Sequence, residues 1–153
     1  LVRVPFIWHD PSADSRAGAN ASLCGTLDIA NTILDRAALQ GPNVMQGISL
    51  LPVIRGEKSG HDSLLIEEHQ RRGYMGLKNN FRARSLITED SRLTLYESVD
   101  WGELYDLAKD PHEINNLWDD PQSRDRRYEL TEKLARKMME LADSSPLATH
   151  HGP

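Results

Sequence analysis

The sequence is poor in residues that build cross-linked or membrane-embedded proteins. It has 153 residues but a single cysteine, Cys24, so it cannot form an internal disulfide. It has no run of about 18 apolar residues, which predicts that no helix crosses a membrane. Glycine-rich phosphate loops and the Gly-x-Ser-x-Gly turn of serine hydrolases are also missing. An internal disulfide scaffold is therefore excluded, and the residues show neither of these two catalytic motifs.

The composition is that of a globular domain with an uneven charge distribution. Hydrophobic residues make up 39% and charged residues 27% of the chain, and the net charge is −5. Acidic side chains concentrate in residues 97–120, where they would repel a phosphate backbone, so we predict no nucleic-acid binding. Basic residues concentrate upstream, and two interpretations stay open for them: a solvated surface or a strip facing an anion or a partner. They are Arg71, Arg72, Lys78, Arg82, Arg84 and Arg92.

Hydrophobic spacing predicts the end of an α/β layer in residues 1–55. Residues 2–8 are apolar and β-branched, which predicts a buried strand. A cap at Thr26 or Asp28 predicts a helix to about residue 38, with Ile33 and Leu34 on its apolar face. Residues 44–54 predict an ordered loop with one short helical turn.

Residues 56–153 have a different pattern, and the polar break at residues 56–62 predicts the boundary. Alternating residues predict strands, with a hairpin in the middle, and Leu130, Leu134, Met138 and Leu141 predict one face of a long helix. The predicted fold class is α+β, with a small antiparallel sheet of about four strands and a C-terminal helix packed on it. The predicted elements are strands 63–67, 82–88, 92–97 and 103–107 and helix 121–142.

Few residues qualify as reactive groups on spacing alone. Cys24 enters a helix, where a thiol pKa can fall, but a lone cysteine is more typical of a small buried hydrophobe. The histidines lack metal-binding spacing, and His9 and His61 precede aspartates in loops, which predicts solvent exposure. His69 ends a predicted strand, so it is either a functional side chain or part of the core edge.

Seven short motifs occur in a recognisable order along nearly the whole chain. Together they resemble the C-terminal part of a sulfatase of the alkaline-phosphatase superfamily, and the stretch from GELYDL to NL is the most specific. The motifs are RVPFI (3–7), DIANTIL (28–34), QGISLLP (46–52), RLTLY (92–96), GELYDL (102–107), DPHE (110–113) and NL (116–117).

The resemblance implies a parent enzyme with a formylglycine nucleophile and a calcium ion, both held by residues upstream of this chain. Cys24 does not carry the Cys/Ser-x-Pro-Ser-Arg motif, so we predict no catalytic and no metal-binding residue here, and no activity of the chain alone. The expected partner is the remainder of the catalytic domain. Residues 1–55 would complete that domain, and residues 56–153 would form the C-terminal subdomain, with His69, Arg71 and Arg72 contacting substrate.

Two alternatives follow from the same residues. A chain without its catalytic half would expose the apolar residues of 1–55 and act as an association module, for example a homo-oligomer. The parent could also hydrolyse phosphonates or phosphodiesters, because the superfamily shares these motifs and a fold does not fix a reaction.

Overall fold

The computed structural model describes residues 3–11, 18–42, 44–70, 81–97 and 99–142. None of the helices in these ranges has the length and apolar character needed to span a bilayer. The helices are α1 (Leu27–Arg36), α2 (Leu51–Ile54) and α3 (Arg124–Glu140), and a 3-10 turn at Pro121–Ser123 precedes α3. The strands are β1 (Leu64–Gln70), β2 (Phe81–Ile87), β3 (Ser91–Tyr96) and β4 (Gly102–Asp106).

The four strands form one antiparallel sheet whose order, β1-β2-β3-β4, follows the chain. The register aligns Leu86 with Leu93 and Leu93 with Leu104, so their side chains share one face. A tight turn joins β2 to β3, where the amide of Thr88 donates to the carbonyl of Ser91 at 2.9 Å. The predicted sheet of about four strands and its hairpin are therefore confirmed.

Helix α3 packs on that leucine face and closes the core. Leu130 and Leu134 are buried against Leu86, Leu93 and Leu104. The prediction of a C-terminal helix on the sheet is confirmed, and the α+β fold class with it. The predicted apolar face of the helix extends too far, because Met138 is exposed and lies at a cleft rather than in the core.

Helix α1 forms where predicted, but the prediction of its apolar face is wrong. The helix buries Asp28 and Thr32, whereas the side chain of Ile33 is 52% exposed. The polar face can be buried because its groups are satisfied internally. The hydroxyl of Thr32 donates to the Asp28 carbonyl at 2.6 Å and accepts the Leu50 amide at 2.9 Å.

The predicted N-terminal strand is also wrong within its described part, residues 3–8, which has no regular secondary structure. A strand forms only where a neighbouring strand can hydrogen-bond to its backbone groups. The described sheet consists of β1 to β4, and residues 3–8 do not pair with it. Val4, Phe6 and Ile7 are exposed as a result. The short helical turn predicted within residues 44–54 is confirmed as α2.

Candidate functional site

Of the predicted substrate-contact residues, the structure describes His69, which lies near the end of β1. His69 is exposed near the end of this edge strand, so the interpretation of it as part of the core edge is wrong. Arg71 and Arg72 lie outside the described residues. The register pairs His69 with Arg82 of β2, which places both side chains on the face that α3 covers farther along the strands.

Most of the described basic strip is neutralised by nearby acids. Arg84 pairs with Glu67 at 2.6 Å, and the guanidinium of Arg92 lies 3.0 Å from Glu103 and 2.8 Å from Glu113. Arg82 is exposed and forms no ion pair with any residue that the structure describes. Arg82 is therefore a second candidate anion contact, because the strand register places it directly opposite His69.

A cleft of about 570 Å³ lies beside this pair, between the start of α1, strand β1 and the end of α3. Apolar and polar side chains both line it, and Glu67 stands on the same side of β1 as His69, two residues away. The cleft therefore extends along β1 to within two residues of His69. The cleft is lined by Leu27, Gln46, Leu65, Glu67, Met138, Leu141 and Ala142.

Asp28 is a buried charged group whose side chain makes several hydrogen bonds. Its side chain is 1% exposed and accepts the amide of Gly25 at 2.7 Å and the amide of Ile48 at 2.8 Å. Nε2 of His61 lies 2.9 Å and 3.0 Å from its two oxygens. One carboxylate therefore joins the turn before α1, the connector after it and the segment that leads into β1.

The prediction that His61 is solvent-exposed is wrong. Its ring is half-buried against Asp28, and its backbone amide donates to the carbonyl of Leu23 at 3.0 Å. Sequence reasoning missed the pair because 33 positions separate its members. The sequence did contain one indication of a buried polar face. Asp28 lies in the first turn of α1, and Thr32 lies one turn later on the same face.

The connector is held against α1 by the DIANTIL motif. The side-chain amide of Asn31 donates to the carbonyl of Gly47, and Gly47 sits against the Leu27 backbone so closely that a Cβ there would lie 2.3 Å from the Leu27 oxygen. Only glycine fits this approach. The two motifs DIANTIL and QGISLLP therefore act as one structural unit.

The motif DPHE followed by NL covers the outer edge of β4. The side-chain oxygen of Asn116 accepts the amide of Leu104 at 3.0 Å, and its nitrogen donates to the carbonyl of Gly102 at 3.0 Å. The amide of Leu117 adds a bond to the Leu104 carbonyl at 2.8 Å. The Asp110 carboxylate accepts hydrogen bonds from the amides of Ile114 and Asn115 and so fixes the turn that leads to Asn116. This motif therefore protects a sheet edge.

Cys24 is a poor nucleophile in this setting. Burial raises the pKa of its thiol above the usual range, and the negative charge of Asp28 raises it further. Because the thiolate is the reactive form, fewer molecules carry it at neutral pH. The half-buried Cys24 therefore fits the structural role that its sequence context favours.

Alkylation should report this raised pKa directly. We expect Cys24 to react with iodoacetamide at pH 8 several-fold more slowly than in the urea-unfolded chain, because folding suppresses the thiolate. The midpoint of the rate against pH should lie above that of the unfolded chain. A folded-state midpoint at or below the unfolded one would contradict the expectation, and mass spectrometry of the labelled peptide provides the measurement.

The described residues do not fit the cofactors of a sulfatase. Within the described ranges, no group of three or more His, Cys, Asp or Glu side chains is arranged to hold a metal ion. The two carboxylate oxygens of Asp28 already contact two amides and an imidazole. Cys24 is followed by Gly25 and Thr26, which are not the residues that direct formylglycine formation.

Comparison with known proteins identifies related chains. Residues 1–140 match the family model of N-sulphoglucosamine sulphohydrolase, C-terminal. The chain is 28% identical over 146 residues to an N-acetylglucosamine-6-O-sulfatase of Bacteroides thetaiotaomicron, and covers 26% of that protein and 94% of itself. The chain therefore spans about a quarter of the length of this relative.

Solved structures agree with the sequence comparison. A 2-O GAG sulfatase superposes with a TM-score of 0.65 and 30% identity, over 76% of this chain and 25% of that one. A phosphonate monoester hydrolase of Agrobacterium radiobacter superposes with a TM-score of 0.63 and 27% identity, over 76% and 25%. The resemblance that the motifs indicated is confirmed, and the neighbours include a sulfatase and a phosphonate hydrolase.

Proposed function

The chain belongs to the family of sulfatase C-terminal domains, and from this membership we propose that it is one part of a hydrolase that cleaves sulfate esters. The match over residues 1–140, together with coverage of about a quarter of a sulfatase, is the observation that carries the proposal. Residues 1–55 then complete the catalytic domain, and residues 56–153 form the C-terminal subdomain that walls the substrate cleft.

The surface at the end of β1 is the proposed substrate contact. His69, Arg71 and Arg72 follow one another closely along the chain, and the sheet register adds Arg82 to them. Sulfate is an anion, and guanidinium groups bind such oxyanions through paired N–H donors. These residues would therefore hold an anionic group of the substrate against the cleft wall.

The upstream remainder of the enzyme supplies the reactive groups in this proposal. A formylglycine and a calcium ion, as sulfatases generally use, would provide the nucleophile and the positive charge on the sulfate oxygens. Since the described residues of this chain fit neither group, we derive no catalytic step here. The chain alone should not hydrolyse an aryl sulfate or a phosphonate ester above a boiled control.

The remainder of the catalytic domain is also the proposed partner. Residues 3–48 expose a set of large apolar side chains, several of them more than half exposed. Covering such side chains removes apolar surface from water and favours association. The set comprises Val4, Phe6, Ile7, Leu27, Ile33, Leu39, Val44 and Ile48.

The substrate contact can be tested in the full-length protein that contains this chain. Replacing Arg71, Arg72 or His69 with alanine should raise KM for a sulfated substrate by about tenfold or more, because about 1.4 kcal/mol of binding corresponds to tenfold. His112→Ala, an exposed histidine at the opposite end of the sheet, is the matched control. Unchanged KM in all three variants would exclude this surface from the substrate site.

A second candidate reaction follows from the phosphonate hydrolase neighbour, whose TM-score of 0.63 is close to the 0.65 of the 2-O GAG sulfatase. The full-length protein should therefore be assayed with an aryl sulfate and a phosphonate monoester side by side. A kcat/KM for the phosphonate that exceeds the value for the sulfate would replace the sulfatase proposal with the hydrolase one.

The association module is the candidate from a different class, and the exposed apolar set favours it. If the chain acts alone, it should form a homodimer that covers these side chains. Size-exclusion chromatography with light scattering measures this directly. A monomer that binds no dye specific for apolar surface would contradict the association module.

A further inference from the structure

The described chain has two parts that touch at a narrow junction. Residues 18–55 contain α1 and α2, and residues 61–142 contain the sheet and α3. Hydrogen bonds between these described parts occur at two places. The first is His61, which contacts Asp28 and Leu23, and the second is Gln46, whose side-chain amide donates to the Leu141 carbonyl at 2.7 Å.

The cleft of about 570 Å³ lies between the same two parts. Leu27 and Gln46 line it from one side, and Leu65 and Met138 line it from the other. Packing across an open cleft does not fix an angle between two bodies, since few atoms are in contact there. The angle between the parts must therefore depend strongly on the hydrogen bonds at the junction.

His61 is built into that junction more firmly than Gln46, which is exposed. Its ring nitrogen faces both oxygens of a carboxylate that is 1% exposed, and the amides of Gly25 and Ile48 keep this carboxylate in place. Its backbone pairs with Leu23 in an isolated β-bridge. The ring and the backbone of His61 are thus both anchored to the part that contains α1.

A small rotation at His61 would move the far end of β1 by a large distance. His69 follows His61 by eight residues, which corresponds to about 26 Å in extended backbone at about 3.3 Å per residue. A rotation of about 10° at one end of a segment of this length displaces the other end by about 4.5 Å. A displacement of this size would take His69 out of hydrogen-bond reach of an anion bound at the site, so the anchor matters for substrate binding.

We infer that His61 is a positioning residue, whose bond to Asp28 sets the angle between β1 and α1 and so places His69. The inference rests on the proposed function only where it concerns His69 and substrate. His61 touches no substrate in this assignment. Its effect passes through Asp28 to α1 on one side and along β1 to the site on the other.

The angle can be measured in this chain with two spin labels. Ala30 on α1 and Ala135 on α3 are both exposed, and cysteines at these positions in a Cys24→Ser background would carry the labels. We expect His61→Phe, which keeps an aromatic ring but has no nitrogen, to broaden the distance distribution between the labels. His61→Gln, whose amide can donate to Asp28, should restore the narrow distribution.

Exposed His112, changed to alanine, is the control and should leave the distribution unchanged. Hydrogen exchange of the Leu86 and Leu93 amides confirms in each variant that the sheet is intact, so that a broad distribution cannot come from global unfolding. A narrow, unshifted distribution in His61→Phe would overturn the inference, because ring packing alone would then set the angle.

Kinetics of the full-length protein test the consequence for the site. His61→Phe should raise KM several-fold with little change in kcat, and His61→Gln should restore it. Adding His69→Ala to His61→Phe should raise KM by less than His69→Ala does alone. Fully additive effects would overturn the link to His69. If His69→Ala by itself has no effect, the proposed substrate contact fails while the angle measurement still decides the role of His61.

Discussion

An Asp28→Ala variant is expected to lose about 3–5 kcal/mol of stability, because the substitution removes one partner of a buried, hydrogen-bonded pair. The amides of Gly25 and Ile48 lose their acceptor, and a buried donor left without one costs about 1–3 kcal/mol. The ring of His61 loses its partner as well. Urea unfolding followed by circular dichroism measures the change.

Asp35→Ala is the matched control for this experiment, since it removes an aspartate from the exposed side of the same helix. Within the part of the chain that the structure describes, its carboxylate accepts one side-chain hydrogen bond, from the Ser49 hydroxyl, so we expect a loss of no more than about 1 kcal/mol. A loss of about 1 kcal/mol or less in Asp28→Ala would contradict the expectation and mean that helix α1 tolerates loss of the Asp28 contacts. Hydrogen exchange at the Ile48 amide should rise in Asp28→Ala alone.

Leu93→Ala is expected to destabilise the sheet by about 3 kcal/mol, within the range of about 2–5 kcal/mol for buried leucines. Leu93 is 0% exposed at the centre of the sheet, between Leu86 and Leu104 and under α3. Truncation leaves a cavity that the neighbouring strands cannot close, because their hydrogen bonds hold them in place. The cost therefore includes both lost transfer energy and lost contacts.

Met139→Ala on α3 is the control for the core variant. Its side chain is 77% exposed, so we expect a change within about 0.5 kcal/mol. The midpoint of chemical unfolding should fall sharply for Leu93→Ala and stay in place for Met139→Ala. A small loss for Leu93→Ala would show that the leucine face is not the principal core.

The elements that were predicted correctly are those whose apolar residues are regularly spaced within the element itself. The strands β2 and β3 alternate apolar and polar residues across a short turn, and α3 repeats leucines at helical spacing. The alternation predicts strands and the leucine spacing predicts a helix, and each also predicts which face is buried. These faces were predicted correctly because the sheet and the helix that bury each other both belong to the described chain. The hairpin, the sheet and the packed helix follow from this.

Features that depend on distant partners were not predicted. The face of α1 was assigned by hydrophobicity, yet Asp28 and Thr32 are buried because residues about 20 to 30 positions away satisfy them. His61 was placed in solvent for the same reason. Residues 3–8 have strand composition, but composition cannot supply the neighbouring strand that their backbone requires.

The order of the strands has a consequence for how the chain acquires its structure. Because β1 to β4 pair in the order of synthesis, each pairing closes a loop of modest length, and low contact order favours rapid folding. The bond between Asp28 and His61 spans 33 positions and closes a longer loop. We expect the sheet to form first and to provide His61 as a fixed contact, onto which α1 and its connector then dock.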